Sequence, residues 1–244
     1  DTINIQYNNG AVVQNATRDI QGSAGAPASL ALDGGATYDY LTQAVGSSTN
    51  HIFTVTNSGA VSATSMADGG GLAAPYTFTG GTYPGTGGNC GATLAAGANC
   101  LVDVSFEPAA TGVQADTITI SYDDGAAAQV ASQNVTGTGA NPAALAISES
   151  DPYDYGDVAL TASDNHVFTV TNSGGVTATA MAEAGLAAPF VFTGGTYPGT
   201  TGTCGATLSA AGTCTLDITF APTGSGVSAD TIEMNYFDGA IAQN

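Results

Sequence analysis

Along residues 51–56 apolar and polar positions alternate: His51, Phe53 and Val55 fall on one side, and Ile52, Thr54 and Thr56 on the other. Val102, Val104 and Phe106 likewise oppose Asp103, Ser105 and Glu107, and Ile118, Ile120 and Tyr122 oppose Thr117, Thr119 and Ser121. A period of two puts successive side chains on opposite faces of an extended chain, so each segment predicts a half-buried β-strand. The same faces return further on as Leu216, Ile218 and Phe220, and as Ile232, Met234 and Tyr236. Between the strands lie turn-forming groups, Asn57-Ser58-Gly59, Thr79-Gly80-Gly81, Tyr83-Pro84-Gly85 and Asp124-Gly125. Their Gly, Pro, Asn and Asp residues supply the backbone angles and local hydrogen bonds that turns require. No run approaches the roughly 18 consecutive apolar residues of a membrane helix.

The recurrence is a tandem duplication. HIFTVTNSGAVSAT at 51–64 reappears as HVFTVTNSGGVTAT at 166–179, and PYTFTGGTYPGTGGNCGATLAAGANC at 75–100 as PFVFTGGTYPGTTGTCGATLSAAGTC at 189–214. The offset drops from 115 to 114 between Asp68 and Leu72, where DGGGL becomes EAGL and a glycine turn loses one residue. A third trace fixes the frame: DTINIQYNNGAVVQN at 1–15 matches 116–130 and 230–244. Residues 1–28 therefore read as the terminal strands of a preceding repeat. Residues 29–140 read as a complete repeat, and 141–244 as a second repeat lacking its last strand. Pro27 and Pro142 hold the same repeat position among small residues, as expected of a short linker. The expected fold class is all-β, in tandem immunoglobulin-like β-sandwich repeats of about 115 residues, since seven or eight short strands in that length suit such a sandwich.

Composition narrows the function. Twenty Asp and Glu stand against one basic residue, Arg18, for a net charge of −19. Such a surface repels phosphate backbones and anionic lipid heads, which argues against nucleic acid and membrane insertion. The absence of Lys and Trp removes P-loop, Schiff-base and isopeptide chemistry, together with an indole platform for sugars. Scarcity of Lys, Arg and Glu also withholds the best surface helix formers.

The order YDYGDVALTASDNHVFTVTNSG, PFVFTGGTYPGTTGTCGATLSAAGTCTLDITFAPTGSG, SADTIEMNYFDG resembles the bacterial choice-of-anchor D repeats, related to ASPM/Hydin-type immunoglobulin-like domains. The resemblance covers both repeats and, through residues 1–28, nearly the whole chain. It implies a secreted bacterial protein of many sandwiches, often ending in a cell-surface anchor, and it brings no catalytic residues. No anchor motif occurs in these residues.

Cys90 and Cys100, and Cys204 and Cys214, are each separated by nine residues. A chain folding back at Ala96-Gly97 or Ala211-Gly212 would join each pair, predicting one disulfide per repeat and an oxidising compartment. The competing zinc reading needs two further ligands, and each repeat offers one distant histidine. His51 and His166 share a repeat position at a strand start, and no nucleophile elbow accompanies them, so they read as packed strand residues and the chain as not an enzyme. The calcium candidates are three acidic groups: Asp123 with Asp124; Asp151, Asp154 and Asp157 just after the linker; and Asp33 with Asp39. Calcium takes six to eight oxygens, and no D-x-D-x-D-G loop is present, so solvated carboxylates are the favoured reading and no cofactor is expected. The GGTYPGT loops with Tyr83 and Tyr197 read as ligand tips or as structural turns, the latter favoured. Asn15 and Asn134 fit glycosylation sequons, which carry little weight in a bacterial protein.

The function expected is an extracellular bacterial structural or adhesive repeat segment forming a rigid surface stalk or fibre. Its partners would be neighbouring repeats of the same or identical chains, and a surface glycan or protein. One alternative is a filament subunit polymerising by strand complementation, with residues 16–28 completing a neighbour. The duplication of residues 1–15 at 230–244 would then bring one strand too many, which favours a window on a longer protein. A carbohydrate-binding accessory module is the third reading, disfavoured by the lack of Trp.

Overall fold

The computed structural model describes residues 1–244. The chain opens with an antiparallel hairpin, β1 (Thr2–Asn8) and β2 (Val13–Asp19), in register Ile3 to Arg18, Ile5 to Ala16 and Tyr7 to Gln14. The first unit follows as β3 (Leu30–Leu32), β4 (Thr37–Ala44), β5 (Thr49–Asn57), β6 (Thr64–Asp68), β7 (Tyr76–Phe78), β8 (Asn99–Phe106), β9 (Gly112–Asp123) and β10 (Ala128–Ala140). One sheet has the order β3-β5-β8-β7 and the other β4-β10-β9-β6. Pairing is antiparallel except between β4 and β10, which run parallel. The two inner faces close on a core that includes Phe53, Val55, Val102, Val104, Phe106, Ile118 and Ile120, all fully buried. This is an immunoglobulin-like β-sandwich, built on the predicted strand faces.

The second unit repeats the first sheet as β11 (Leu145–Ile147), β12 (Asp164–Asn172), β14 (Phe190–Phe192) and β15 (Thr213–Phe220), in the order β11-β12-β15-β14. Its other sheet contains only β13 (Thr179–Glu183), β16 (Met234–Phe237) and β17 (Ala242–Gln243). Tyr153 and Tyr155 occupy the repeat positions of Tyr38 and Tyr40 on β4, yet form no strand. The cause is the pairing scheme: β4 hydrogen-bonds only to the later part of β10, from Asn134 to Ala140, and the counterpart of β10 in the second unit, the two-residue β17, lacks that part. The same lack shortens β16, because β9 is paired along its whole length to β10 but only at its end to β6. The core shrinks accordingly, from a cluster of 20 buried residues to one of 12.

One strand reading needs correction. Alternation places Asp103 and Ser105 on the outer, wet face of β8, but they are 2% and 3% exposed. The loop after β7 folds back across that face and covers them, as described next.

Candidate functional site

Each unit is tied together by the asparagine that ends its FTVTN strand. Asn57 is fully buried. Its Oδ1 accepts from the N–H of Ser29 (3.1 Å) and of Gly59 (3.0 Å), and its Nδ2 donates to the carbonyls of Val61 (3.0 Å), Leu94 (3.1 Å) and Ala95 (3.2 Å). One side chain thus joins β3, the Asn-Ser-Gly turn and the disulfide loop. Asn172 makes the matching set with Ala144, Gly174, Val176, Leu208 and Ser209. A short polar residue is needed here because only an amide has both donors and acceptors for five backbone groups. Sequence reasoning treats this asparagine as a turn former; its identity in both copies is the signal that it does more.

The disulfides Cys90–Cys100 and Cys204–Cys214 form, with Cα separations of 4.9 and 4.8 Å. The chain reverses through Ala95–Ala98, where Ala98 N–H donates to Ala95, at the turn the spacing predicts. Cys100 lies on β8 and Cys90 in the loop alongside it. No free cysteine remains.

The GGTYPGT loops are clamps around a buried aspartate. In the first unit Asp103 N–H donates to Pro84 O (2.8 Å) and Thr79 N–H donates to Asp103 O (3.0 Å). The carboxylate accepts from Gly87 N–H (3.0 Å) and Asn50 Nδ2 (3.1 Å). In the second unit Asp217 accepts from Thr193 Oγ1 (2.7 Å), Thr201 Oγ1 (2.7 Å) and Thr201 N–H (3.1 Å). Burial pushes the Asp217 carboxyl up, but hydrogen bonds from Thr201, Thr193 and Asn165 outweigh it and leave the pKa below its ordinary 3.8. Gly85 and Gly199 adopt φ of 92° and 95°, and a Cβ on either would collide with the carbonyl of the clamped aspartate. The Tyr83 ring packs edge-on against Phe78, and Tyr197 against Phe192, each at 5.5 Å. The loop's backbone groups are thereby spent on its own fold.

The histidines are packed within aromatic clusters. His51 stacks on Tyr38 at 3.9 Å and meets Phe53 edge-on at 4.7 Å; His166 stacks on Tyr153 at 4.0 Å and meets Phe168 at 4.7 Å. His166 Nε2 lies 3.8 Å from Glu149 Oε1. Tyr38 and Tyr153, which complete the stacks, carry no periodic signal of their own in the sequence.

The acidic residues serve turns. Asp123 Oδ1 accepts from Gly125 N–H (2.8 Å), and Asp154 Oδ1 from Gly156 N–H (2.8 Å). Asp124 accepts from the N–H groups of Ala127 (2.7 Å) and Ala126 (2.8 Å) and from Gln129 Nε2 (3.0 Å). Those backbone bonds hold its pKa below the ordinary value. Asp238 repeats the arrangement with Ala240, Ile241 and Gln243. Asp123, Asp124, Asp151, Asp154 and Asp157 do not converge: no three His, Cys, Asp or Glu side chains gather as a metal-ligating group. No helix is long and apolar enough to cross a membrane.

No family model matches the chain, and no curated protein matches it. Among solved structures, an ASH / PapD-like domain of human CEP192 (PapD-like domain 7) is 12% identical, with 51% of this chain set against 92% of that one at a TM-score of 0.35. A protein of unknown function from Porphyromonas gingivalis W83 is 10% identical over 88% of this chain and 93% of that one, with a TM-score of 0.35. The Vibrio cholerae VesB protease is 15% identical at a TM-score of 0.35; the match takes in 46% of this chain and spans 32% of the protease.

Proposed function

We propose that this chain is a segment of an extracellular bacterial repeat protein of the choice-of-anchor D kind, in which disulfide-stapled sandwiches stand in series as a structural or adhesive stalk. The observation that carries this reading is the join between the units. Ala140, the last residue of β10, still accepts from Val45 N–H in the first unit (2.8 Å), and the next residue, Asn141, already accepts from Gly175 N–H in the second (2.9 Å). The chain passes from one sandwich to the next with no slack, as an element that spans distance requires. One disulfide in each unit supports an oxidising location, outside the cytoplasm. The charge of −19 supports a solvated, self-repelling fibre. Antibodies raised against this segment should label intact cells of the source bacterium, and protease shaving of those cells should remove the epitope. Labelling seen only after permeabilisation would overturn the reading.

A second reading, assembly by strand donation, is favoured by one observation, the exposed apolar face of hairpin β1–β2 in a chain whose second unit has only the two-residue β17 at the position of β10. Sedimentation equilibrium separates the two. A monomer at all concentrations supports the stalk, and concentration-dependent growth supports the filament.

A further inference from the structure

Ala44, at the end of β4, is 2% exposed but belongs to neither core cluster. The second unit covers it: a Cβ placed on Gly239 would come within 2.9 Å of the Ala44 Cβ and 2.9 Å of Val176 Cγ2. Ala159, the repeat counterpart of Ala44, is exposed. A second close approach lies beside the first, where a Cβ on Gly175 would sit 3.0 Å from the Ala140 Cβ. The pole of the second unit, Gly175, Val176 and Gly239, is therefore a socket that admits small residues only.

The first unit carries the same socket, unfilled. Its counterparts are Ala60, Val61 and Gly125. Gly125 and the adjoining Ala126 are exposed, whereas Gly239 and Ala240 are half-buried under the first unit. The chain enters both sockets by one path. Ala60 N–H donates to Ala26 O (3.0 Å) and Ala28 N–H to Asp124 O (2.9 Å), just as Gly175 donates to Asn141 (2.9 Å) and Ala143 to Asp238 (2.8 Å). The small pair is also kept, with its members exchanged: Gly25 approaches Ala60, a Cβ on it falling 3.1 Å away, where Ala140 approaches Gly175. Each junction has room for one methyl group, and each has one.

The hairpin upstream of that path has the face of a sandwich core. Ile3, Ile5 and Tyr7 are 48%, 60% and 50% exposed, while Ile118, Ile120 and Tyr122 at the same repeat positions are 0%, 0% and 8% exposed. On β2, Ala16 and, just beyond its end, Ile20 match Ala131 and Val135, both buried in the first unit's core. Exposed apolar faces of this kind mark surfaces made for a partner.

We infer that the pole formed by Ala60, Val61 and Gly125 is a docking surface for another sandwich of this same fold, received through the small residue at the end of its own β4 counterpart, with hairpin β1–β2 as that sandwich's closing strands. The joint between the two units is the observed instance of this contact. It rests on the array reading only in taking the partner to be covalently continuous, and failure of the joint would leave the location of the protein untouched.

The first test uses the chain as it stands, by NMR with a neutral, soluble gadolinium chelate. The amides of Val176, Gly239 and Ala240 should be shielded from the probe relative to those of Val61, Gly125 and Ala126. Ala44→Glu should abolish that shielding, and Ala159→Glu should leave it unchanged. Insertion of two glycines between Ala140 and Asn141 repeats the test without touching either core. Equal exposure of the two poles, or equal effects of the two Glu variants, would overturn the inference. The second test places a copy of residues 29–115 ahead of Asp1, which completes a sandwich on hairpin β1–β2. The Val61, Gly125 and Ala126 amides should then lose their broadening, and a Glu at the added copy's counterpart of Ala44 should restore it. A pole that stays exposed beside a folded added sandwich would refute the docking surface while leaving the stalk reading to its own cell-surface test.

Discussion

Replacing Asn57 by Ala removes a side chain that five backbone groups depend on. Two of these have second partners, since Leu94 O also accepts from Ala63 N–H and Ala95 O from Ala98 N–H. Three are left without their partner: the N–H groups of Ser29 and Gly59, and the carbonyl of Val61. An orphaned buried polar group costs about 1–3 kcal/mol, and these three sit at partly wetted positions, so the low end applies and the sum is about 3 kcal/mol. For a unit of this size that corresponds to a fall in Tm on the order of 15 °C. Differential scanning calorimetry should show the first unit's transition move by this amount, with the second unit's transition in place as an internal reference. Thr56→Ala, at the exposed neighbour, should leave both transitions unmoved. Asn57→Asp adds a check on the direction of the bonds, because a carboxylate would face the carbonyls that Nδ2 now serves. It should destabilise more than Ala at neutral pH and recover as the carboxyl protonates in acid. A loss below about 1 kcal/mol for Asn57→Ala, or an Asp variant as stable as wild type at pH 7, would refute the account of Asn57 as the hub.

Loss of one disulfide should weaken one unit. Closing a loop with a sequence separation of 10 contributes roughly 2–3 kcal/mol in the chain-entropy model, so the Cys90→Ser, Cys100→Ser pair should lower the first transition and spare the second. Acid should destabilise the fold through its clamped aspartates. Burial pushes the Asp217 and Asp238 carboxyls up, but the hydrogen bonds they accept outweigh it and keep their folded-state pKa values below 3.8. Their contribution is complete above that value and is lost as pH falls through the folded pKa, so urea midpoints should hold steady at neutral pH and drop below about pH 4. Thermal unfolding in millimolar calcium and in EDTA should coincide, because the carboxylates of Asp123, Asp124 and Asp154 already serve turn amides and no three acidic side chains converge; a calcium-dependent rise in Tm would contradict this.

Much of the sandwich was legible in the sequence because its strands carry their core side chains on one face. Phe53, Val55, Val102, Val104, Ile118 and Ile120 stand at period two, and all are in the core. Turn chemistry and the cysteine spacing were equally local signals. What escaped were contacts between segments remote in sequence. Asp103 looks like a solvent-facing residue until the loop 79–88 folds over it, and nothing in the alternation of β8 encodes that return. The parallel pairing of β4 with β10 is likewise invisible locally, since Tyr38 and Tyr40 gain their strand from a segment far along the chain, with Val135 set opposite Tyr38. The duplication supplied the one non-local clue. Asp103 and Asp217 stay the same in both copies while their neighbours change from Val102 and Val104 to Leu216 and Ile218, and Asn57 and Asn172 stay the same within an unchanged FTVTNSG run.

The same comparison between copies shows what the units require of one another. At core positions the copies differ by exchanges of similar apolar residues, such as Val102 for Leu216 and Val104 for Ile218, each a change of one methylene that a sandwich interior can absorb by repacking. At the junction the exchange is of a different kind. Gly25 with Ala60 becomes Ala140 with Gly175, so both members change and the number of methyl groups stays at one. A linker that only tethered two independent sandwiches would place no such limit on a residue in each partner, and relative motion of the two would be the default. A limit shared by β10's last residue and the next unit's turn is what close packing imposes. Side-chain volume at the pole therefore limits how closely the two sandwiches approach at this joint.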